Sequence, residues 1–160
     1  MALAPKPKDF PRIRGALKFY QVASVITGVM LLLLCAEMLL KYTPLGLELE
    51  LGGPRGLLAL VPEGTVVAVN LSTGILIAHG WFYVVYLFSD FRLWSLMRWP
   101  FWVFIVIALG GVIPFLSFFL EASVARRVKG YLAEREAELA QRDAARPDTA
   151  RPDSVEAPHQ

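Results

Sequence analysis

Few side chains in this 160-residue chain have the type and setting for chemistry, and one stands apart. His79 lies in the apolar run TVVAVNLSTGILIAHGWFYVVYLF, residues 65–88, and is the one ionisable side chain deep inside a long uncharged stretch. Polar groups in such a setting are costly and face protein or a water-filled cavity, so the imidazole is the first place to look for a site. Proton relay would require an Asp or Glu at the same depth, and metal or haem ligation would require further ligands. Neither stands beside His79, which leaves a packing hydrogen bond as the expected role. No Cys pair, His-x-x-x-His, Gly-x-Ser-x-Gly or phosphate-loop pattern occurs. We therefore expect no catalytic residue, no cofactor-binding residue, no metal ligand set and no enzymatic activity.

The elements that would carry His79 are legible from composition. Hydrophobic residues make up 56% of the chain and charged residues only 19%, with a mean hydropathy of +0.50. Both fractions depart from the globular average of about 45–50% apolar and about 25% charged, in the direction of lipid. Six charges precede Phe19, none falls between Phe19 and Ala36, and none between Phe101 and Leu120. A net charge of +2, with Lys and Arg at the ends of apolar runs, gives no reason to expect nucleic acid as a partner. Cys35, the single cysteine, reads as a buried thiol. A lipoprotein signal would want a small residue where Leu34 stands, and no A-x-A-like cleavage site follows the first run, so no cleaved leader is expected.

Along the chain, residues 1–15 form a basic arm that Pro5, Pro7 and Pro11 should keep extended. Residues 16–42 are long and apolar enough for a first transmembrane helix, with Glu37 and Lys41 spaced to pair one turn apart. Residues 43–64 are rich in Gly and Pro and predict an extra-membrane loop; the alternation Leu47-Glu48-Leu49-Glu50-Leu51 is strand-like, yet a lone hairpin is marginal in water. Residues 65–88 form the second span, residues 89–100 an interfacial connection, and residues 101–121 a third span kinked at Pro114. Residues 122–145 predict an amphipathic helical extension and residues 146–160 a disordered tail. Interfacial anchors are Lys41, Tyr42, Trp94, Arg98, Trp99, Glu121, Arg126 and Arg127. The expected class is thus an all-α membrane protein of three transmembrane helices. The first helix sets a cytoplasmic N-terminus, an outside loop and, by three crossings, an outside C-terminal extension, although both ends are basic.

Depth counting then builds a layer around His79. Gly28 is nine positions after Phe19, His79 nine before Phe88 and Gly110 nine after Phe101. Each is about 13 Å from the same membrane edge at 1.5 Å per residue. Thr27, Gly28, His79, Gly80, Gly110 and Gly111, with Pro114 freeing the Gly110 carbonyl, are the expected polar packing layer. In it the imidazole donates to Thr27 or to that carbonyl. Ser72, His79, Tyr83 and Tyr86 share one sector of the second helix, while Asn70, Gly74 and Ala78 lie on roughly the opposite side. Two distinct faces imply two protein neighbours.

The residues Leu40-Lys41-Tyr42, His79-Gly80-Trp81-Phe82 with Tyr86, and Ile113-Pro114-Phe115 leading to Glu121 and Arg126-Arg127 carry a resemblance. Over about residues 15–128 the chain resembles a family of small three-span bacterial integral membrane proteins, common in actinobacteria and catalogued as a domain of unknown function. The loop between Tyr42 and His79 looks longer than in that family, and the C-terminal extension is additional. The resemblance implies the three-span fold and no reaction.

Two function classes follow. The first is a multi-pass cell-membrane protein acting as a non-enzymatic accessory subunit. It contacts membrane lipids and packs onto other membrane-protein subunits in a hetero-complex rather than a homo-oligomer, with a respiratory oxidase or supercomplex as the expected host. The second is a self-assembling transporter or channel subunit using the Ser72, His79, Tyr83 and Tyr86 face.

Overall fold

A computed structural model describes residues 5–145. A 3-10 turn, Pro7–Asp9, leads directly into helix α1, Phe10–Tyr42. The arm expected to stay extended is therefore helical from Phe10. Pro11 sits in the first helical turn, where its missing N–H would have had no partner anyway. One face of α1 is buried at Ile13, Ala16, Leu17, Tyr20, Ala23, Ser24, Thr27, Gly28 and Leu31, a stripe of three- and four-residue steps.

The segment expected as an extra-membrane loop is a three-stranded antiparallel sheet, which overturns the all-α class. Strand β1, Leu47–Gly53, pairs with β2, Gly56–Pro62, through the two-residue turn Pro54-Arg55, and its other edge pairs with β3, Val69–Asn70. The alternation in β1 is real but inverted. Glu48 and Glu50 are the buried side, because their carboxylates collect the backbone donors of the 64–68 segment, while Leu47, Leu49, Leu51, Leu58 and Leu60 form the outer face. The hairpin is thus not isolated: a third strand and these buried carboxylates complete it.

Helix α2, Leu71–Met97, starts at an Asn70 cap whose side chain accepts from Thr73 N at 2.9 Å. It runs nine residues beyond the expected end of the second span and ends at Arg98 in the left-handed region. The third apolar run does not form one crossing helix. Helix α3, Phe101–Leu109, stops after nine residues, the chain reverses through residues 110–115 with Phe115 at a φ of 65°, and helix α4, Leu116–Ala144, returns. Pro114 removes a donor, and Gly110-Gly111 lets the reversal press against α2: a Cβ on Gly111 would stand 2.5 Å from the Tyr83 ring. Among the described residues, only Pro7–Tyr42 and Leu71–Met97 are long and apolar enough to cross a membrane. The three-span expectation is overturned with the all-α one.

Contacts fix the order of levels. Tyr20 meets Tyr86, and Thr27 meets Phe82, so α2 is antiparallel to α1. Trp94 meets Phe101 and Tyr86 meets Ile107, so α3 climbs beside α2. Ser24 meets Ser117, Gln21 meets Glu121 and Arg14 meets Glu136, so α4 descends beside α1. Helices α3 and α4 form a hairpin reaching to the level of Gly28 and no further. The C-terminal extension therefore ends beside the N-terminal turn, where Lys6, Phe10, Arg135 and Arg142 line one cavity, and not at the opposite end as three crossings would require. Residues 146–160, expected to be a disordered tail, lie outside the described residues.

Candidate functional site

The bundle interior carries a seam of polar side chains along α1. At its upper end the Glu37 carboxylate accepts from the Ser72 hydroxyl, which in turn accepts from Leu49 N at 2.9 Å, tying α1, α2 and β1 together. Lower down, Thr27 donates to the Phe82 carbonyl at 3.1 Å. Ser24 and Ser117 then bond hydroxyl to hydroxyl at 2.9 Å, and Ser117 also donates to the Ser24 carbonyl at 3.0 Å. This crossing is close because a Cβ on Gly28 would stand 3.0 Å from the Phe118 ring. Small residues and hydroxyls at one crossing are how apolar helices approach and lock in the absence of water.

At the lowest level the seam changes character. Tyr20 and Tyr86 are fully buried with ring centroids 5.9 Å apart, and Tyr86 donates to the Ile107 carbonyl at 2.6 Å. One turn along α2, Asp90 is fully buried and neither carboxylate oxygen has a partner; the Tyr20 hydroxyl has none either. A buried unpaired carboxyl is among the most costly groups a bundle can hold. Sequence reasoning placed residue 90 in an interfacial connection and missed it. Tyr86, Asp90, Leu93 and Met97 continue a helical stripe, and that spacing was the available signal.

The expected layer is partly assembled. Thr27, Gly28, Gly110 and Gly111 are all buried at helix crossings, with Gly110 and Gly111 against Tyr86 and Tyr83. His79 is half-buried and stacks on Tyr83 at 6.3 Å, but its Nδ1 has no partner, and neither Thr27 nor the Gly110 carbonyl receives its proton. Gly80 faces open space and Pro114 is exposed in the reversal. The Ser72, Tyr83 and Tyr86 hydroxyls turn inward to Glu37, the Ala108 carbonyl and the Ile107 carbonyl. On the other side of α2, Gly74 is exposed with nothing within 4 Å, and Ala78 is half-buried.

Anchors at the helix ends find local partners. Lys41 bonds Glu48 at 2.8 Å and approaches Glu63 at 3.4 Å rather than Glu37, and lies 6.0 Å from the centre of the exposed Tyr42 ring. Trp94 donates to the Pro100 carbonyl at 3.3 Å, and the Arg127 guanidinium sits 5.9 Å from the Trp99 ring. Glu121 accepts from Gln21 at 2.5 Å, and Arg126 donates to the Ala122 carbonyl at 3.2 Å. In the sheet, the Lys41 ammonium and Gly64 N–H hold the Glu48 carboxyl below the usual carboxylate range, and the Ala68 and Val67 amides do the same for Glu50. No group of three or more His, Cys, Asp or Glu side chains that could hold a metal occurs among the described residues.

These features belong to a helix bundle with two membrane-length helices, a half-length hairpin and an extra sheet, a description that suggests membrane association. The chain belongs to the DUF3817 family, a domain of unknown function, whose model matches residues 17–126. An uncharacterized protein of Mycobacterium tuberculosis is 29% identical over 118 residues, covering 74% of this chain and 80% of its own. An uncharacterized protein of Mycobacterium leprae is 26% identical over 121 residues, covering 76% and 82%. No solved structure matches the chain.

Proposed function

We propose that the protein is a multi-pass protein of the plasma membrane and a non-enzymatic accessory subunit of a larger membrane assembly, with α1 and α2 crossing the bilayer and the α3–α4 hairpin entering it halfway from the side of both termini. Of the fourteen Lys and Arg in residues 5–145, all but Lys41 and Arg55 lie at the end of the molecule that holds the first and last described residues. The positive-inside rule puts that end in the cytoplasm and the sheet outside. The half-depth hairpin thereby removes the conflict between two basic ends and an odd number of crossings.

The observation that carries the subunit reading is the bare upper face of α2. Gly74 and Ala78 make a small-xxx-small step with no neighbour packed on Gly74, and Trp81, 70% exposed, continues the same face. Such steps let a second helix approach closely in lipid. The transporter alternative has less support, since Ser72, Tyr83 and Tyr86 are committed to bonds within the chain. Purification in a mild detergent with identification of co-purifying membrane proteins tests the proposal, a respiratory oxidase being the first host to look for. Gly74→Ile with Ala78→Ile should abolish co-purification while leaving the chain monodisperse. Unchanged co-purification sinks this face as the docking site. His79→Ala that keeps assembly but abolishes a transport flux would favour the alternative.

A further inference from the structure

Between α1 and α4, at the end of the molecule that holds the first and last described residues, lies a cavity of about 410 Å³ lined by Arg14, Lys18, Gln21, Lys129 and Glu136 over Leu17 and Leu132. Its charges are unequal. Arg14 is committed to Glu136 through two bonds from one nitrogen, 2.7 and 2.9 Å, which bridge the helices at one end of the cavity. Lys18 and Lys129, one from each helix, have no acidic partner within 4 Å among the described residues. Lys18 is also the last charge before the uncharged stretch Phe19–Ala36, so the cavity sits where polar sequence gives way to apolar sequence. From Lys18 and Gln21 a second groove continues up α1 over Val22, Val25 and Ile26, all exposed and spaced to lie on one face.

A paired-lysine cavity opening onto an apolar groove has the two halves of an amphiphile's shape. We infer that the α1–α4 cleft is a binding site for an anionic phospholipid, with its phosphate held between Lys18 and Lys129 and an acyl chain lying along Val22, Val25 and Ile26. Basic pockets between membrane helices on the cytoplasmic side take acidic headgroups for this reason. The one acid beside the groove, Glu121, is bonded to Gln21 about a turn above Lys18, which confines the anion to the lysine end. An acidic peptide would satisfy the lysines but leave the valine and isoleucine face bare. The inference rests on the membrane reading above.

The test uses the full chain extracted in mild detergent and native mass spectrometry with phosphatidylglycerol and phosphatidylcholine of identical acyl chains. At about 1 kcal/mol per cation near the membrane surface, two lysines predict roughly thirty-fold preferential retention of phosphatidylglycerol. Lys18→Gln with Lys129→Gln should bring the two lipids to parity, Lys18→Arg with Lys129→Arg should keep the preference, and each variant's thermal unfolding reports whether it folds. Lys8→Gln with Arg126→Gln removes the same charge outside the cleft and should change nothing. If that control erases the preference equally, the binding is a diffuse surface effect and the site is refuted. Displacement of the lipid by glycerol 3-phosphate or inorganic phosphate at millimolar concentration would assign the lysines to a free phosphate and overturn the lipid. Alkaline carbonate extraction separates the two levels: a chain that stays with the membrane but shows no lipid preference refutes only this inference, while a chain that washes off refutes the membrane reading.

Discussion

The lower and upper halves of the bundle are built on opposite terms. Below the level of Gly28, α1 packs one face against α2 and α4, with α3 set against α2, and Ile13, Tyr20, Tyr86, Leu93, Ile107 and Val128 are shut away in one core. Above it the α3–α4 hairpin has ended, α1 and α2 stand as a pair, and Val29, Leu33, Leu76 and Ile77 are left open. The same two helices thus serve as core elements at one end and as a bare apolar surface at the other. Internal packing is concentrated where the basic residues gather, which leaves the sheet-side half free to be covered by lipid or by another chain.

Substitutions that should respond differently in the two halves test this contrast. The largest effect is expected at Gly111, where any Cβ collides with the Tyr83 ring: Gly111→Val should cost about 3 kcal/mol or more and dislodge the hairpin. Gly80→Val, facing open space in the upper half, should stay within about 0.5 kcal/mol. Thermal unfolding in detergent compares them, and equal losses would erase the distinction. Next in size is Asp90→Leu, which replaces a buried unpaired carboxyl by an apolar side chain of the same branching and should stabilise the lower half by about 1–2 kcal/mol. A loss of stability on this change would mean the carboxylate has a partner in the membrane. Ser24→Ala, which breaks the α1–α4 hydroxyl pair, should cost about 1 kcal/mol and is read by the same melt.

The smallest effect belongs to the sheet. Glu48 and Glu50 have folded-state values below the ordinary 4.5, so the stability they contribute is complete above that value and is lost as pH falls through their lowered ones. Protection of the Val67 and Ala68 amides, referred to their intrinsic exchange rate at each pH, should therefore fall progressively below about pH 4.5 while the helical core stays protected. Core amides that open in step with these two would show that the sheet and the bundle unfold as one unit.

What the sequence made legible followed local rules. The two long apolar runs, the stacking of Gly110-Gly111 at a crossing and the strand-like alternation at Leu47–Leu51 all rest on spacing alone. What it hid depended on partners distant in the chain. The hairpin reads as isolated because nothing local announces that Val69-Asn70 will pair with its far edge. Pro114 reads locally as a kink, although a proline three residues after two glycines and followed by a left-handed Phe115 permits full reversal, and Ser117 bonded to Ser24 holds the returning helix in place. Asp90 is not legible because the apolar run closes at Phe88, two residues before it, and burial against α1 lets the helix carry a carboxyl onward.

The reversal at residues 110–115 also bears on how the chain enters a membrane. In the proposed orientation neither α3 nor α4 is translocated, since α3 enters and α4 withdraws on the side where synthesis takes place. Export is confined to residues 43–70 with the end of α1. The charges on that cargo are chiefly glutamates, which weigh little in setting topology, with Lys41 and Arg55 the basic groups to be moved. A single helical pair can thus thread in as a unit and set the orientation, and the hairpin can dock afterwards against a template already in place.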